Sequence, residues 1–199
     1  MKILMFSWRG PKHPNAGGAE IVTHEYAKSW VKSGHEVTLF TSSFKNAKAK
    51  EYIDGVEIIR EGGQLLGVQI AATRWYLFKS QKKFDLVIDH FHGIPFFTPL
   101  YSRIPVFLLI HHIHQEVFRE HLKFPLSIIA RFMEAKLMPF VYKNNSVITV
   151  SESSKSEILK IGLSKSGNIA RYDTTASYTA TSSWSFFDTN EILTDLEGF

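Results

Sequence analysis

Short runs of β-branched and apolar residues alternate along the chain with stretches whose apolar positions recur at helical spacing, the order that a parallel sheet wrapped by crossover helices requires. The runs predict strands near 2–7, 36–41, 55–60, 84–89, 105–111 and 146–150. Between the first two, Ala19, Val22, Tyr26 and Trp30 and the companion series Thr23, Ala27 and Val31 share one helical face, and Gly34 ends that helix. A second helix is predicted over 69–82, with Ile70, Trp75, Leu77 and Phe78 as its apolar content. A third, over 126–142, carries the stripe Ile129, Met133, Leu137 and Val141 and should be kinked by Pro139. The last, over 152–161, begins from Ser151, with Ser154 nearby, and stops at Gly162. Strands with helices between most of them predict an α/β fold: a Rossmann-like, doubly wound, mainly parallel sheet.

After Gly167 the pattern changes. Residues 170–184 are dominated by Thr, Ser, Ala and Tyr without clear period, and 186–199 add an acidic end, a composition that suits a loop or tail. Charge changes at the same point: residues 1–169 hold 22 Lys and Arg against 14 Asp and Glu, whereas 170–199 hold one Arg against five acids. A basic body suits phosphorylated ligands or an anionic lipid surface, and equally a solvated basic face; no nucleic-acid partner is expected. At 199 residues and 44% hydrophobic content, one full core is the default. The absence of cysteine excludes disulfide scaffolds, thiolate zinc sites and thiol nucleophiles, and agrees with a reducing cytoplasm. The apolar start Met1 to Phe6 turns polar at Ser7, too short for a signal peptide, and the best apolar run, 104–110, falls far short of the roughly 20 residues of a membrane span. A cytoplasmic protein, at most peripheral at the inner face of the membrane, is the expectation.

Candidate chemistry concentrates in two places. The first predicted strand runs into a Gly- and Pro-rich loop, Trp8 to Glu20, whose adjacent Gly17 and Gly18 open the first helix. Backbone N–H groups there can approach an anion closely, and the helix start adds partial positive charge. The loop matches neither the dinucleotide pattern G-x-G-x-x-G nor the P-loop, which disfavours a nicotinamide oxidoreductase; a Gly-Gly pair before a helix also serves as a plain tight turn. The second place is a set of histidines at predicted strand ends: His90 and His92, then His111, His112 and His114. Imidazoles invite a metal reading, but only Asp89 and Glu116 accompany them, and no metal is expected. Asp85 reads as a strand-start residue. Trp8, Trp75, Phe91, Phe96 and Phe97 are available for stacking on a sugar, or for core and rim packing.

Several separate segments, in order over residues 1 to about 169, resemble glycosyltransferase family 4. They are Gly17-Gly18-Ala19-Glu20 after the first strand, Gly34-His35-Glu36-Val37, His92-Gly93-Ile94-Pro95, Ile110-His111-His112-Ile113-His114, Glu134-Ala135-Lys136-Leu137-Met138-Pro139 and Val150-Ser151-Glu152-Ser153-Ser154. The resemblance implies the N-terminal, acceptor-side half of a two-domain GT-B fold and a retaining, metal-independent transfer. It implies no cofactor beyond a nucleotide-sugar donor as co-substrate, and a glycan or lipid-linked acceptor. Carried over, His111 matches the family's active-site histidine, and Gly17 and Gly18 face the donor diphosphate. Arg9, Asn15, Glu20 and His112 are further candidate contacts; His112, like His114, also reads as a strand cap or as the partner of a carboxylate. The resemblance ends near residue 169, so residues 170–199 are expected to be a divergent polar, acidic tail, with the donor-binding C-terminal domain absent. Two readings follow: a truncated enzyme, inactive alone, or a stand-alone sugar- or nucleotide-binding domain that works with a separate donor-domain chain.

Overall fold

A computed structural model describes residues 1–64, 66–80, 83–111, 128, 132–149, 151–163 and 169–171. Eight strands form one sheet: β1 (Lys2–Phe6), β2 (Glu36–Thr41), β3 (Lys50–Ile53), β4 (Val56–Arg60), β5 (Leu86–Phe91), β6 (Val106–Ile110), β7 (Ser146–Thr149) and β8 (Ile169–Arg171). Their spatial order is β3-β4-β2-β1-β5-β6-β7-β8, and every pairing is parallel except the β3–β4 hairpin. The fold is the expected α/β Rossmann-like one. The hairpin strand β3 was not anticipated, because Lys50, Glu51 and Tyr52 show no apolar alternation; it is an edge strand, whose outer side needs none. Strand β8 pairs with β7 and carries the sheet two residues beyond position 169.

The helices follow from their caps and apolar faces. α1 (Gly18–Lys32) buries Thr23, Tyr26, Ala27 and Trp30 and is stopped by Gly34 at φ +88°, a backbone that only glycine adopts without strain. α2 (Leu66–Arg74) continues as a π-helical turn over Trp75–Lys79, with Ser80 N–H donating to the Trp75 carbonyl at 2.8 Å. Val68, Ala71 and Ala72 are buried, whereas Ile70, Leu77 and Phe78, part of the predicted helix's apolar content, share the other face at helical spacing and are exposed.

A second π turn, Met133–Leu137, leads into α3 (Met138–Tyr142), whose first turn contains Pro139. The buried residues here are Met138 and Tyr142 rather than Leu137, so the helical face is displaced by one position from the predicted stripe. Ile129 lies outside the described residues. α4 (Glu152–Lys160) starts as predicted, with Ser151 Oγ accepting from Ser154 N–H at 3.2 Å, and Gly162 follows at φ +69°.

Because successive strand residues point to opposite faces, the core divides in two. On one face Ile3, Met5, Leu39, Ile88, Phe107 and Leu109 pack with Tyr26, Ala27 and Trp30 of α1. On the other, Leu4, Phe6, Phe40 and Val87 pack with α2, and Leu108, Ile110 and Val147 pack with α3 and α4. Among the described residues, no helix is long and apolar enough to cross a membrane.

One carboxylate sits inside this apolar sandwich. Asp89 of β5 is fully buried and accepts hydrogen bonds from the Phe96 and Thr98 amides, both at 3.3 Å, from Thr98 Oγ1 at 2.8 Å, and from the Tyr142 hydroxyl. Burial pushes its carboxyl up from the usual range, and the four donors oppose that shift. The contacts fix the chain after β5, where Phe97 adopts φ +54°, and join it to α3. Asp85, in turn, accepts from the Lys2 amide at 2.7 Å and aligns the starts of β1 and β5, the strand-start role expected for it. Asp89→Ala is expected to destabilise the fold by about 3 kcal/mol or more, because it strands several buried donors, and Asp89→Asn by less, because a carboxamide oxygen still accepts. Urea unfolding of both variants checks this; equal, sub-kilocalorie losses would show that the carboxylate anchors nothing.

Candidate functional site

The chain leaves β1 for β2 on one side and later enters β5 on the other, so the strand order reverses between β1 and β5. In open α/β sheets the crevice beyond the carboxyl ends of the strands at such a reversal is where ligands sit. Here it is bounded by the β1–α1 loop, the start of α1 and the ends of β5 and β6.

Strand parity decides what reaches that edge. Met5, Ile88 and Leu109 belong to the α1-side core, so two residues later Ser7, His90 and His111 lie on the same face, as a polar layer over the apolar one. His90 is fully buried and His111 is 6% exposed. The His90 Nδ1 lies 3.0 Å from Ser7 Oγ and 3.1 Å from Thr23 Oγ1 of α1, and its ring meets that of His111 edge to face, 4.9 Å between centroids. The backbone carbonyl of His111 accepts from Ser154 Oγ at 2.7 Å, which ties the end of β6 to α4. His92 is 6.2 Å from His90 and 5.6 Å from the Trp8 ring. Among the described residues, no three His, Asp or Glu side chains are grouped to hold a metal ion. His112 and His114 lie outside the described residues.

The loop before α1 is pinned throughout. The Arg9 guanidinium lies over the Trp8 ring at 4.1 Å, donates to the Asn15 carbonyl at 2.8 Å and approaches Glu20 at 3.9 Å. Asn15 therefore meets Arg9 through its backbone, and it stands exposed. Lys12 pairs with Glu51 of β3 at 2.8 Å. His13 is buried; its Nδ1 accepts from the Asn15 amide at 3.0 Å and its Nε2 lies 2.8 Å from the Gln64 carboxamide.

Gly17 and Gly18 are both exposed at the helix start, but they are not equivalent. The Gly17 N–H donates to Glu20 Oε2 at 2.7 Å, so Glu20 is turned in, 3% exposed, as a helix cap beside Arg9. A Cβ on Gly18 would meet nothing within 4 Å. The N–H groups of Gly18, Ala19 and Glu20 precede the helical ladder, whose first bond runs from Ile21 N–H to Gly17 O at 3.2 Å. The expected site residues thus fall into two groups: Gly17, Gly18, Arg9, Asn15 and Glu20 on the loop and helix start, and His111 on the β6 end. Sequence reading considered His90 only as a metal ligand. The signal it missed is parity with Ser7 across the β1–β5 register.

Comparison with known proteins bears on what this edge serves. The family model described as Glycosyltransferase Family 4 matches residues 16–169. Among solved structures, sucrose-phosphate synthase from Thermosynechococcus elongatus is similar, with a TM-score of 0.64 and 14% identity over 86% of this chain and 47% of that one. The chain therefore spans about half the length of that relative. A second structure of sucrose-phosphate synthase from the same organism aligns at a TM-score of 0.60 and 12% identity, over 100% of this chain and 96% of that one. No curated protein sequence matches.

The His13 environment yields a pH prediction. Burial first, and then the Arg9 and Arg60 charges, hold its imidazole below the ordinary value of 6.5. The folded protein therefore binds this proton less well than the unfolded chain, so the stability contributed by neutral His13 is present above 6.5 and declines as pH falls below it toward the folded value. Urea unfolding at pH 7 and pH 5 should show a larger loss for the wild-type chain than for His13→Gln. Identical pH slopes would remove His13 as the sensitive group.

Proposed function

The chain belongs to glycosyltransferase family 4, and on that premise we propose that it forms the acceptor-side half of a nucleotide-sugar-dependent, retaining glycosyltransferase. The observation that carries this reading is the placement of the α1 start and of His111, at the end of β6, at the same carboxyl edge of the sheet beside the β1–β5 reversal. In the transfer, the bond between the anomeric carbon and the diphosphate oxygen breaks, a bond to the acceptor hydroxyl oxygen forms, negative charge grows on the leaving diphosphate, and the hydroxyl proton passes to that diphosphate. Amides before the helical ladder, Gly18 foremost, are fixed dipoles able to stabilise that charge where it develops. The Gly17 amide contributes less directly, since its hydrogen goes to Glu20. His111, held at the mouth of the crevice, contacts the transferred sugar. Arg9, Asn15 and Glu20, on the loop and helix start, are the proposed further contacts to acceptor or donor, and His112, outside the described residues, is proposed with them from the family resemblance alone. No metal or other cofactor takes part.

The nucleoside pocket is supplied by a donor-side domain, on the same polypeptide or on a separate chain. The acceptor is a glycan or a lipid-linked sugar. For the lipid-linked case, α2 and its π turn offer exposed Leu66, Ile70, Leu77 and Phe78, with Arg74 and Lys79 on the same segment sharing the carboxylate of Glu61. An apolar strip flanked by net positive charge suits the surface of an anionic bilayer.

With UDP as probe, the 199-residue chain is expected to bind at about millimolar Kd, because one helix start supplies phosphate contacts without a nucleoside pocket. EDTA should leave that affinity unchanged. Gly18→Val should weaken it several-fold while shifting the melting temperature little, since the added side chain points into open space. Micromolar binding, or binding indifferent to Gly18→Val, would contradict the half-site reading; NMR titration gives both numbers. Sedimentation with phosphatidylglycerol vesicles should recover the wild-type chain and lose Ile70→Ser/Phe78→Ser, and equal recovery of the two would remove the membrane from the proposal.

A further inference from the structure

The polar layer at the β1–β5 reversal contains a residue that nothing above assigns. His90 sits one position after Asp89, on the opposite face, with no solvent exposure. Its partners settle its protonation. Thr23 Oγ1 donates its only hydrogen to the Ala19 carbonyl at 2.8 Å, so toward His90 it can only accept. The arrangement that satisfies Thr23 as well as Ser7 puts a hydrogen on the His90 Nδ1, shared between Thr23 Oγ1 at 3.1 Å and Ser7 Oγ at 3.0 Å. A neutral ring with Nδ1–H leaves Nε2 as its basic nitrogen. A ring locked from β1 and α1 in this way cannot swing about its own side-chain torsion, whereas a phenyl of similar size would be free to turn.

The His111 imidazole leans on that locked ring, 4.9 Å between centroids with planes 76° apart. Its backbone is secured separately, through Ser154 Oγ and the His111 carbonyl. Two imidazoles this close, both buried, do not both carry a positive charge without large cost, so a fixed neutral His90 also influences how readily His111 takes a proton.

We propose that His90 is a positioning residue for His111: clamped by Ser7 and Thr23 in its Nδ1–H form, it fixes the orientation of the His111 ring at the mouth of the crevice. The proposal rests on the reading of His111 as the sugar-contacting histidine for its purpose, though not for its geometry. Its consequence is a mechanical link between the two groups of site residues. α1 presents the Gly18 amide at its first turn and grips His90 through Thr23 one turn later, so a displacement of the helix start by a bound phosphate reaches His111 through a single intervening ring.

Ring-nitrogen NMR of the full 15N-labelled chain tests this without any need for turnover. His90 is expected to show a protonated Nδ1 and an unprotonated Nε2 from about pH 6 to 8. The His111 titration should move by about half a pH unit or more in His90→Phe. It should move in the same sense in Thr23→Val, which is nearly isosteric and removes the hydroxyl beside His90. His90→Asn, whose carboxamide N–H can stand in for Nδ1–H, should restore part of the wild-type behaviour, and Ile148→Val, a core change on the same face, should leave His111 unmoved despite its loss of stability. A proton found on His90 Nε2, or a His111 titration unchanged in both His90→Phe and Thr23→Val, would overturn the proposal. A failure to bind UDP would weaken the glycosyltransferase reading and leave this result standing, so the two failures are distinguishable.

Discussion

A parallel sheet covered by helices on both faces has almost no room for unpartnered polar side chains, and that constraint governs everything else in this protein. Strands β1, β5 and β6 at its centre are buried throughout, apart from the first residue of β1. A polar residue survives there only by bringing its partners with it. Asp89 does so by collecting two amides and two hydroxyls from the segment after β5 and from α3. Each donor it gathers is itself a length of chain put in place, so the cost of burying one carboxylate is recovered as order in the β5–β6 connection.

At the carboxyl edge the strand-order reversal opens a crevice, and α1 serves it in two ways. Its first turn presents backbone amides to the opening. Its second presents Thr23 to His90, beneath the histidine that faces the opening. Glu20 moderates the first of these functions. A carboxylate on the Gly17 amide consumes part of the positive field at the helix start, and Arg9 beside it returns some of that charge. The loop that carries Arg9 is held at Lys12, His13 and Trp8 by β3, Gln64 and Ser42, so the cost of ordering it is met in folding rather than on binding.

Membership of glycosyltransferase family 4 rests on the match over residues 16–169, while similarity to sucrose-phosphate synthase at 12–14% identity establishes the fold alone. The site gives that membership physical content. At the β1–β5 reversal, the His90 ring meets those of His92 and His111 and lies within hydrogen-bond distance of the Ser7 and Thr23 hydroxyls.

The sequence by itself determined the fold class, because alternating apolar runs and helical periodicities are local signals, and Gly34, Ser151 and Gly162 mark their own helix ends. For the same reason it placed Gly17 and Gly18 where a strand turns into a helix and His111 where a strand stops, while the roles expected of them came from the family resemblance. It failed where the outcome depended on what lay across the sheet. Strand β3 has no alternation of its own and exists because β4 offers it an edge. The one-residue displacement in α3 comes from the π turn before it, which leaves no periodic trace. Only the tertiary structure could separate Gly17 from Gly18, since the difference is one hydrogen bond to a side chain three residues on. Only it could place His90 under His111, since strand parity and parallel register, rather than nearness in the chain, bring Ser7, Thr23, His90 and His111 together.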